Sequence, residues 1–264
     1  MIKKAIILGR KEGAAKALRW LVEKGVKVPL VVVNPNEKGP YLTLAKAAET
    51  LGIPVYTDDE SVYWMIENQT KDVHNIDLVI SYLHNKKIRA PLFKLGAMGC
   101  INFHPAPLPD YKSSAGYNTA ILDQKDHFGV SAHFIDSEQF DSGPIIKVLR
   151  FPINHADENA FSLEKKAQEK MFELFTETMD AFLKGRPVPT YPNSGGLYLT
   201  RSQLESLKTV DPQNDSPEEI DRKIRAFFVP PHTGAFIEIA GRSYMLLNGQ
   251  VLSYLSQVLK EEND

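Results

Sequence analysis

The chain has 264 residues, of which 43 % are apolar and 24 % are charged. These proportions are close to those of soluble globular proteins, so they exclude a disordered chain, a collagen and a coiled coil. Thirty-one basic and thirty-three acidic residues leave a formal net charge of −2, which argues against a protein that wraps around nucleic acid.

Cysteine content and hydropathy indicate the compartment. The single Cys100 excludes an intrachain disulfide and a zinc site made of several thiolates, which favours a reducing compartment. Residues 1–13 hold too few apolar residues for a secretory signal, and no run approaches the ~18 apolar residues of a membrane helix. We therefore expect a cytoplasmic protein with no membrane partner. His84 and His104 lack the spacing of a metal site with other ligands, so we expect no metal.

The first half of the chain alternates between strand-like and helix-like patterns. Apolar runs predict strands at residues 5–8, 28–33, 54–56, 77–82 and 99–103, and apolar residues at helical spacing predict helices after residue 13, at 42–51 and at 62–66. Strands joined by helices through short loops predict a doubly wound, mostly parallel sheet with helices on both faces. In such sheets ligands bind beyond the carboxyl ends of the strands.

The second half divides at a proline-rich segment. Strands are predicted at residues 129–135 and 144–151, and a long helix at 159–184. The extended segment 186–192 is the best domain boundary. Beyond it the patterns predict a helix at 217–228, a turn at 230–234, and strands at 235–239 and 243–247. We therefore expect a catalytic domain at 1–190 and a small C-terminal α+β subdomain at 191–264.

Asn102 and His104 follow the last apolar run of the predicted parallel sheet. Alternation along a strand directs both side chains to the same side, so an amide and a base can address one substrate atom. His104 is expected just past the carboxyl end of the strand. Pro105, Pro107 and Pro109 stiffen the following loop. An isolated Asn-x-His also fits a pair that only anchors its loop, and this alternative stays open here.

Other polar motifs are weaker taken singly. Asp141 starts a Ser-Gly-Pro turn, where an Asp usually caps its own backbone, so only a meeting with His104 makes it catalytic. The alternation of residues 129–135 turns His133 away from the apolar face, and we interpret it as a structural histidine. The segment 9–13 is not a GxGxxG motif and lacks the later acid that would hold a ribose, which favours a plain turn over a phosphate site.

Together these motifs resemble the formyltransferases that use N10-formyltetrahydrofolate. The resemblance rests on Asn102-x-His104-Pro105, on Leu108-Pro109-x-Tyr111, on Gly116 at a helix start and on Asp141-x-Gly143. It covers most of residues 1–190. The joint pattern is far more specific than any of its parts, and it implies the Rossmann-like formyltransferase fold.

The rest of the sequence suggests the acceptor. The Arg-x-Arg-Gly-Ala motif of methionyl-tRNA formyltransferases is absent after Pro109, and the tail from 219 to 236 is similar to the sugar N-formyltransferases. The resemblance implies formylation of a nucleotide-linked amino-dideoxy sugar, such as dTDP-4-amino-4,6-dideoxyglucose or its 3-amino isomer, for lipopolysaccharide O-antigen or another cell-surface polysaccharide. A methionyl-tRNA formyltransferase-like enzyme and a non-catalytic folate- or nucleotide-binding module remain alternatives. A dehydrogenase is disfavoured because the glycine fingerprint is missing.

The resemblance also implies residue roles. His104 would take a proton from the amine, Asn102 would stabilise the oxyanion of the tetrahedral intermediate, and Asp141 would orient the imidazole. The expected folate contacts are Tyr82, Leu83, Asn85, Asp136, Glu138 and Asp141. The expected contacts with the nucleotide-diphosphate amino sugar are Arg10, Tyr111, Lys112, Tyr198, Arg225 and Phe227. Apolar strands in the tail are compatible with a homodimer.

Overall fold

The computed structural model of the chain describes residues 1–37, 41–230 and 232–261. Its strands are β1 (Ala5–Gly9), β2 (Val31–Val33), β3 (Val55–Tyr56), β4 (Leu78–Tyr82), β5 (Cys100–His104), β6 (Tyr111–Ser113), β7 (His127–Phe134), β8 (Ile145–Pro152), β9 (Leu197–Leu199), β10 (Phe236–Ile239) and β11 (Arg242–Met245). Its α-helices are α1 (Lys11–Glu23), α2 (Leu44–Thr50), α3 (Glu60–Glu67), α4 (Tyr117–Leu122), α5 (Ala160–Leu183), α6 (Arg201–Ser206), α7 (Pro217–Ala226) and α8 (Gly249–Glu261).

Seven strands form the main sheet, in the order β3-β2-β1-β4-β5-β7-β8. The pairs from β3 to β5 are parallel, whereas β7 runs antiparallel to β5. The strand order reverses direction between β1 and β4, so ligand sites are expected beyond the carboxyl ends of these central strands. The predicted doubly wound, mostly parallel sheet with a small C-terminal α+β appendage is confirmed.

Both faces of the sheet are covered by apolar side chains from helices. On one face, residues of α3 such as Val62 and Met65 pack in a buried cluster with Leu8, Val79 and Cys100. On the other face, four aromatic rings from α1, β4, β5 and α5 meet edge to face or stacked: Trp20, Tyr82, Phe103 and Phe175. The first face carries Ser81 and Asn102 at its carboxyl end, so the site described below belongs to the α3 side of the sheet.

The chain divides into two compact units. Unit 1 comprises Met1–Asp110, Gly129–Leu149 and Gln168–Gly196, and unit 2 comprises Tyr111–Phe128, Arg150–Ala167 and Leu197–Asp264. Each unit therefore takes segments from several parts of the chain, whereas the sequence predicted a single boundary between 1–190 and 191–264. A linear pattern cannot show that an inserted segment packs with a distant tail. The domain division stays a prediction.

Unit 2 contains two small sheets and an aromatic core. In its first sheet β6 pairs in parallel with β9, and in its second β10 pairs antiparallel with β11. Phe128 contacts the rings of Tyr111, Tyr117 and Phe151. Helix α7 begins with a capping box in which Ser216 accepts a hydrogen bond from the Glu219 backbone, which satisfies amide groups that a helix start otherwise leaves unpaired.

Most predicted elements exist, with shifted ends. The strand predicted at 28–33 is shorter, Val31–Val33, and His104 is the last residue of β5 rather than a residue beyond it. The short elements β6, β9 and α6 were missed because so few residues reveal no periodicity, and the longer helix α8 was also missed. The predicted turn at 230–234 includes position 231, which lies outside the described residues.

Helix α5 shows how burial matches the apolar spacing. Its residues Leu163, Ala167, Met171, Leu174 and Met179 are all buried, as their helical spacing predicts. Charged residues occupy its opposite face. Within the described part of the chain, none of the helices combines the length and the apolar content needed to cross a membrane.

Cys100 provides a test of this packing. Its side chain is fully buried, and burial raises the pKa of its thiol far above the ordinary value, because a thiolate is costly in an apolar environment. We therefore expect the native protein to resist thiol reagents, and the protein in guanidinium chloride to react with one equivalent. Ellman's reagent measures both. Rapid reaction of the native protein would contradict the buried position of β5.

Candidate active site

Three polar side chains stand side by side across the sheet. The strand register pairs Ser81 of β4 with Asn102 of β5, and Asn102 with His133 of β7. Directly paired residues project from the same face of a sheet. The Ser81 hydroxyl donates to Asn102 Oδ1 over 2.7 Å, and Asn102 Nδ2 lies 3.0 Å from His133 Nε2. His133, interpreted from sequence as structural, therefore contacts a proposed catalytic residue directly.

Asp141 brings a carboxylate to this row. It lies in the loop between β7 and β8 with a φ of 50°, and its side chain is 8 % exposed. Its Oδ1 is 3.4 Å from His104 Nδ1, 3.4 Å from His133 Nε2 and 3.3 Å from Asn102 Nδ2. One carboxylate oxygen thus faces two imidazoles and an amide. The structure brings together Asn102, His104 and Asp141, which is the arrangement that the catalytic interpretation of the sequence requires.

The partners of Asn102 and His133 assign their orientations. His133 Nδ1 lies 2.8 Å from the Phe134 carbonyl, which only accepts, so Nδ1 carries the proton there. Its Nε2 then accepts from Asn102. The carboxylate of Asp141 also requires the NH₂ end of the amide on its side, because a carbonyl oxygen there would be repelled. Both N–H groups of Asn102 are consequently directed at His133 and Asp141.

A buried serine anchors the loop that follows His104. The Ser131 hydroxyl donates to the Ala106 carbonyl over 2.8 Å and accepts from the Leu108 backbone over 2.8 Å. Ser131 is paired with His104 in the ladder between β5 and β7. The prolines restrict this loop, as the sequence indicates, and the neighbouring strand fixes where the loop lies. His104 is therefore positioned both by its pairing with Ser131 in the sheet and by the loop that Ser131 anchors.

A small cavity opens beside the row. It is lined by Ser81, His84, Lys86, Lys87, Ile88, Asn102, His133, Ile135, Ser137, Glu138, Gln139, Phe140 and Asp141. The lining combines apolar side chains, which suit a flat ring, with hydrogen-bonding groups that suit its polar edge. Within this lining His84 is held in place by Asp59, because its Nε2 is 3.1 Å from Asp59 Oδ2 and both side chains are buried.

The predicted folate contacts are divided by the structure. Glu138 and Asp141 line the cavity, and so does His84, which lies in sequence between the predicted contacts Leu83 and Asn85. Tyr82 is fully buried and stacks on Phe103 with ring centroids 5.8 Å apart, so its side chain serves the core. Leu83 is also buried, while Asn85 and Asp136 are exposed outside the cavity lining. A folate contact by any of the six predicted residues stays a prediction.

The turn after β1 is shaped by packing. A Cβ atom at Gly13 would lie 2.5 Å from the Tyr82 hydroxyl oxygen, which explains the glycine without a phosphate. The Arg10 side chain donates to the Leu83 carbonyl over 2.8 Å. Burial, followed by the neighbouring charge of Arg10, lowers the pKa of the Lys11 amine to about 8, and Glu37 acts in the opposite direction.

The other predicted substrate contacts belong to unit 2. Lys112 and Tyr198 are directly paired across β6 and β9, so a cation and an exposed aromatic ring are neighbours there. The Tyr111 hydroxyl donates to Asp123 over 2.8 Å. Arg225 and Phe227 are both buried in unit 2.

Arg225 already has several protein partners. Its guanidinium donates to Asp221 Oδ2 over 3.0 Å and to the carbonyls of His155 and Glu158. The Lys208 ammonium lies 5.9 Å from the centroid of the buried Phe227 ring. A substrate contact by Arg225 or Phe227 remains a prediction, and it would require these packing contacts to open.

The match to a family model decides the class of protein. Residues 3–179 match the model described as formyl transferase, which is more than half of the chain. The chain belongs to the formyl transferase family. The resemblance inferred from the asparagine, histidine and aspartate motifs is confirmed at this level.

Individual relatives differ in their acceptors. The formyl transferase chain is 28 % identical over 242 residues to a methionyl-tRNA formyltransferase of Thermodesulfovibrio yellowstonii, covering 88 % of this chain and 76 % of that protein. It is 30 % identical over 168 residues to the GDP-perosamine N-formyltransferase of Brucella melitensis, covering 64 % of this chain and 63 % of that protein.

Solved structures share the fold. A 4-N formyltransferase from Francisella tularensis superposes with a TM-score of 0.76 at 22 % identity, covering 93 % of this chain and 97 % of that chain. An N-formyltransferase from Helicobacter canadensis in complex with folinic acid and dTDP-3-aminofucose gives 0.72 at 22 % identity, covering 92 % and 86 %.

Two residues that contact the proposed catalytic residues or their loop were not identified from the sequence. The strand alternation showed that His133 leaves the apolar face, but only the register against β5 places it on Asn102. Asn193 directly follows the proline-rich segment 186–192 and donates to the loop of Asp141. No local pattern could have identified Asn193, because its partners lie some fifty positions earlier in the chain.

Gly143 tests how tightly the Asp141 loop is held. A Cβ atom at position 143 would lie 1.9 Å from the Phe134 carbonyl oxygen, so Gly143→Ala must displace the loop. Displacement of a reacting group by about 1 Å can cost ~100-fold in rate, and we expect a loss of that order in formyl transfer. Gly249→Ala is the control, since a Cβ there meets nothing within 4 Å. Equal activity of the two variants would contradict the tight loop.

Proposed function

We propose that the protein transfers the formyl group of N10-formyltetrahydrofolate to the amine of a nucleotide-linked amino-dideoxy sugar. The observation that carries the proposal is the buried carboxylate of Asp141 within 3.4 Å of His104 Nδ1 and 3.3 Å of Asn102 Nδ2. An imidazole held through one ring nitrogen by a carboxylate is arranged to accept a proton at the other. Formylation of an amine needs such a base.

His104 is the proposed base. As the amine nitrogen forms its bond to the formyl carbon, it must lose a proton, and a histidine near neutral pH is suited to accept it. The same proton can return to the departing nitrogen when the old carbon–nitrogen bond breaks. Asp141 stabilises the imidazolium in between, since its Oδ1 lies 3.4 Å from His104 Nδ1.

Asn102 stabilises the negative charge that develops on the formyl oxygen. Its N–H groups point at His133 and Asp141. One of these two hydrogen bonds must therefore break before the amide can donate to the formyl oxygen. The contact with Asp141 is the longer, 3.3 Å against 3.0 Å. When His104 becomes cationic it competes for the carboxylate, which releases the amide donor. Proton uptake and charge stabilisation are thereby coupled, and a preorganised donor of this kind contributes ~3 kcal/mol.

The folate supplies the one-carbon unit and would lie in the cavity beside Asn102. The cavity has a volume of about 40 Å³, whereas pockets that enclose a drug-sized ligand have ~300–1,000 Å³. The cavity can therefore hold only part of the folate, and the rest would lie along the exposed residues 136–140. Glu138 and His84 are the proposed side-chain contacts. Backbone groups are the proposed contacts at Tyr82, Leu83, Asn85 and Asp136.

The acceptor is proposed to be dTDP-4-amino-4,6-dideoxyglucose or its 3-amino isomer, used for O-antigen or a similar polysaccharide. The names of the Helicobacter and Brucella proteins, which include dTDP-3-aminofucose and GDP-perosamine, support a sugar amine. Arg10 is the proposed contact for the diphosphate in unit 1, and Tyr111, Lys112, Tyr198, Arg225 and Phe227 are the proposed contacts in unit 2. Replacing any of these side chains with alanine should raise the KM for the sugar more than it lowers kcat.

The first experiment is formyl transfer to a panel of dTDP-, UDP- and GDP-linked 3- and 4-amino sugars, read as product mass. We expect one dTDP-linked sugar to be formylated. His104→Ala should lower kcat by ~100- to 10,000-fold, the usual contribution of a general base, while His74→Ala, which changes an exposed histidine, should not. Near-normal turnover by His104→Ala would contradict the mechanism.

Methionyl-tRNA is the second candidate acceptor, favoured by the Thermodesulfovibrio relative. The formal charge of −2 and the absence of the Arg-x-Arg-Gly-Ala motif argue against it. Formylation of charged initiator tRNA, with binding that weakens steeply as salt rises, would establish this candidate instead. Folate binding without formyl transfer to any amine would indicate a non-catalytic module.

The enzyme is further proposed to form a homodimer through β10 and β11, called here the tail hairpin. These strands form a two-stranded sheet. Ile239 and Tyr244 project from one face of it, and both are about half exposed, as are Met245 and Leu247. Apolar surface of this kind is typical of an interface. A hairpin that meets its own copy about a two-fold axis closes the assembly at two chains.

Sedimentation measures this association. We expect the protein to be a dimer at micromolar concentration and Tyr244→Asp to be a monomer, because a charge would be buried at the interface. Trp64→Asp is the control, since Trp64 is 59 % exposed but lies on α3, away from the hairpin in sequence. A monomeric wild-type protein would overturn the dimer.

A further inference from the structure

The proline-rich segment before β9 is fastened to the loop that carries Asp141. Tyr191 and Ile145 exchange two backbone hydrogen bonds of 2.8 and 2.9 Å, so this segment pairs with the start of β8. Two residues later, Asn193 Nδ2 lies 2.9 Å from the Asp141 carbonyl oxygen and 2.9 Å from the Gly143 carbonyl oxygen. All of these residues belong to unit 1.

The chemistry of this contact selects asparagine. Carbonyl oxygens only accept hydrogen bonds, so the NH₂ end of the Asn193 amide must face both of them. Aspartate has the same shape but would oppose its carboxylate oxygens to two carbonyls. Alanine and serine would leave at least one of the two carbonyls without this donor. A side chain with two N–H groups at this distance is therefore required to bridge the loop.

The backbone conformation of the Asp141 loop explains why the loop needs a stabilising contact. Asp141 adopts a φ of 50°, a conformation that residues other than glycine reach at some cost, although aspartate tolerates it better than most. The carboxylate must hold this backbone position to keep Oδ1 within 3.4 Å of both His104 and His133. The Asn193 amide joins the carbonyls on either side of Ser142, so it fixes the peptide planes that aim the Asp141 side chain.

We propose that Asn193 is a positioning residue for Asp141, and hence for the protonation of His104; the effect on catalysis rests on the proposed function. Asn193 acts through the backbone of the Asp141 loop. His104 faces Asp141 and His133, and of these the carboxylate is the group that stabilises an imidazolium. When the carboxylate drifts away, the pKa of His104 falls, so the acid limb of the pH–kcat profile moves to lower pH.

A series of substitutions separates the donor role from size and folding. We expect Asn193→Ala to lower kcat by about 10- to 100-fold, as a misplaced group does, with little change in the KM for the amino sugar. The kcat of Asn193→Asp should be lower than that of Asn193→Ala. Asn193→Gln keeps the NH₂ group, so its kcat should be higher than that of Asn193→Ala. The acid limb should shift in the same order.

Asn68→Ala is the matched control. Asn68 Nδ2 also donates to a backbone carbonyl, that of Trp64 over 2.9 Å, at the end of α3. Its loss should leave kcat and the pH profile unchanged at a comparable melting temperature. If all three Asn193 variants match Asn68→Ala in kcat and in the pH profile while remaining folded, the positioning role is overturned.

A measurement without substrate separates this inference from the proposed function. Histidine ¹⁵N resonances report the protonation and partners of His104 and His133 directly. Shifted resonances in Asn193→Ala, in a protein that formylates no amine on the panel, would support the positioning role of Asn193 and refute the proposed function. Unchanged resonances of Asn193→Ala, in a protein that formylates an amine, would refute the positioning role and support the proposed function.

Discussion

The structure of the site depends on one carboxylate oxygen shared by three nitrogen atoms. Asp141 Oδ1 lies within 3.4 Å of His104, His133 and Asn102. A buried carboxylate is costly unless hydrogen-bond donors face it. The donors among these three groups are the Asn102 amide and the His104 Nδ1–H, since His133 Nε2 is an acceptor. The loop of Asp141 and the strands of the sheet therefore depend on each other. In the proposed mechanism this oxygen stabilises the protonated His104, and His104 then competes with the Asn102 amide for it.

The parallel sheet makes this sharing possible because register fixes distance. Ser81, Asn102 and His133 are direct partners on β4, β5 and β7, and paired side chains stand about 5 Å apart. The loop between β7 and β8 then needs to supply only the acid. It is held by contacts of different kinds, the close approach of Gly143 to the Phe134 carbonyl and the bridge made by Asn193.

The sequence predicts what depends on local pattern. Apolar runs predict the central strands and the doubly wound sheet, and alternation correctly puts Asn102 and His104 on one side of β5. It could not reveal the partner of His133, since that depends on the register of an antiparallel strand thirty-one positions away. The sequence also predicted a domain boundary at 186–192, directly before Asn193, because prolines suppress any strand pattern there. The burial of Arg225 and Phe227 in unit 2 likewise depends on distant packing.

The most direct test of the shared carboxylate is a histidine ¹⁵N NMR titration of the wild-type protein and of Asp141→Asn, with His104 and His133 assigned by single substitution. The account predicts that His133 in the wild type carries its proton on Nδ1 and accepts at Nε2. It also predicts that Asp141→Asn lowers the pKa of His104 and shifts the resonances of both rings together. Resonances and pKa values that are unchanged in Asp141→Asn would contradict it.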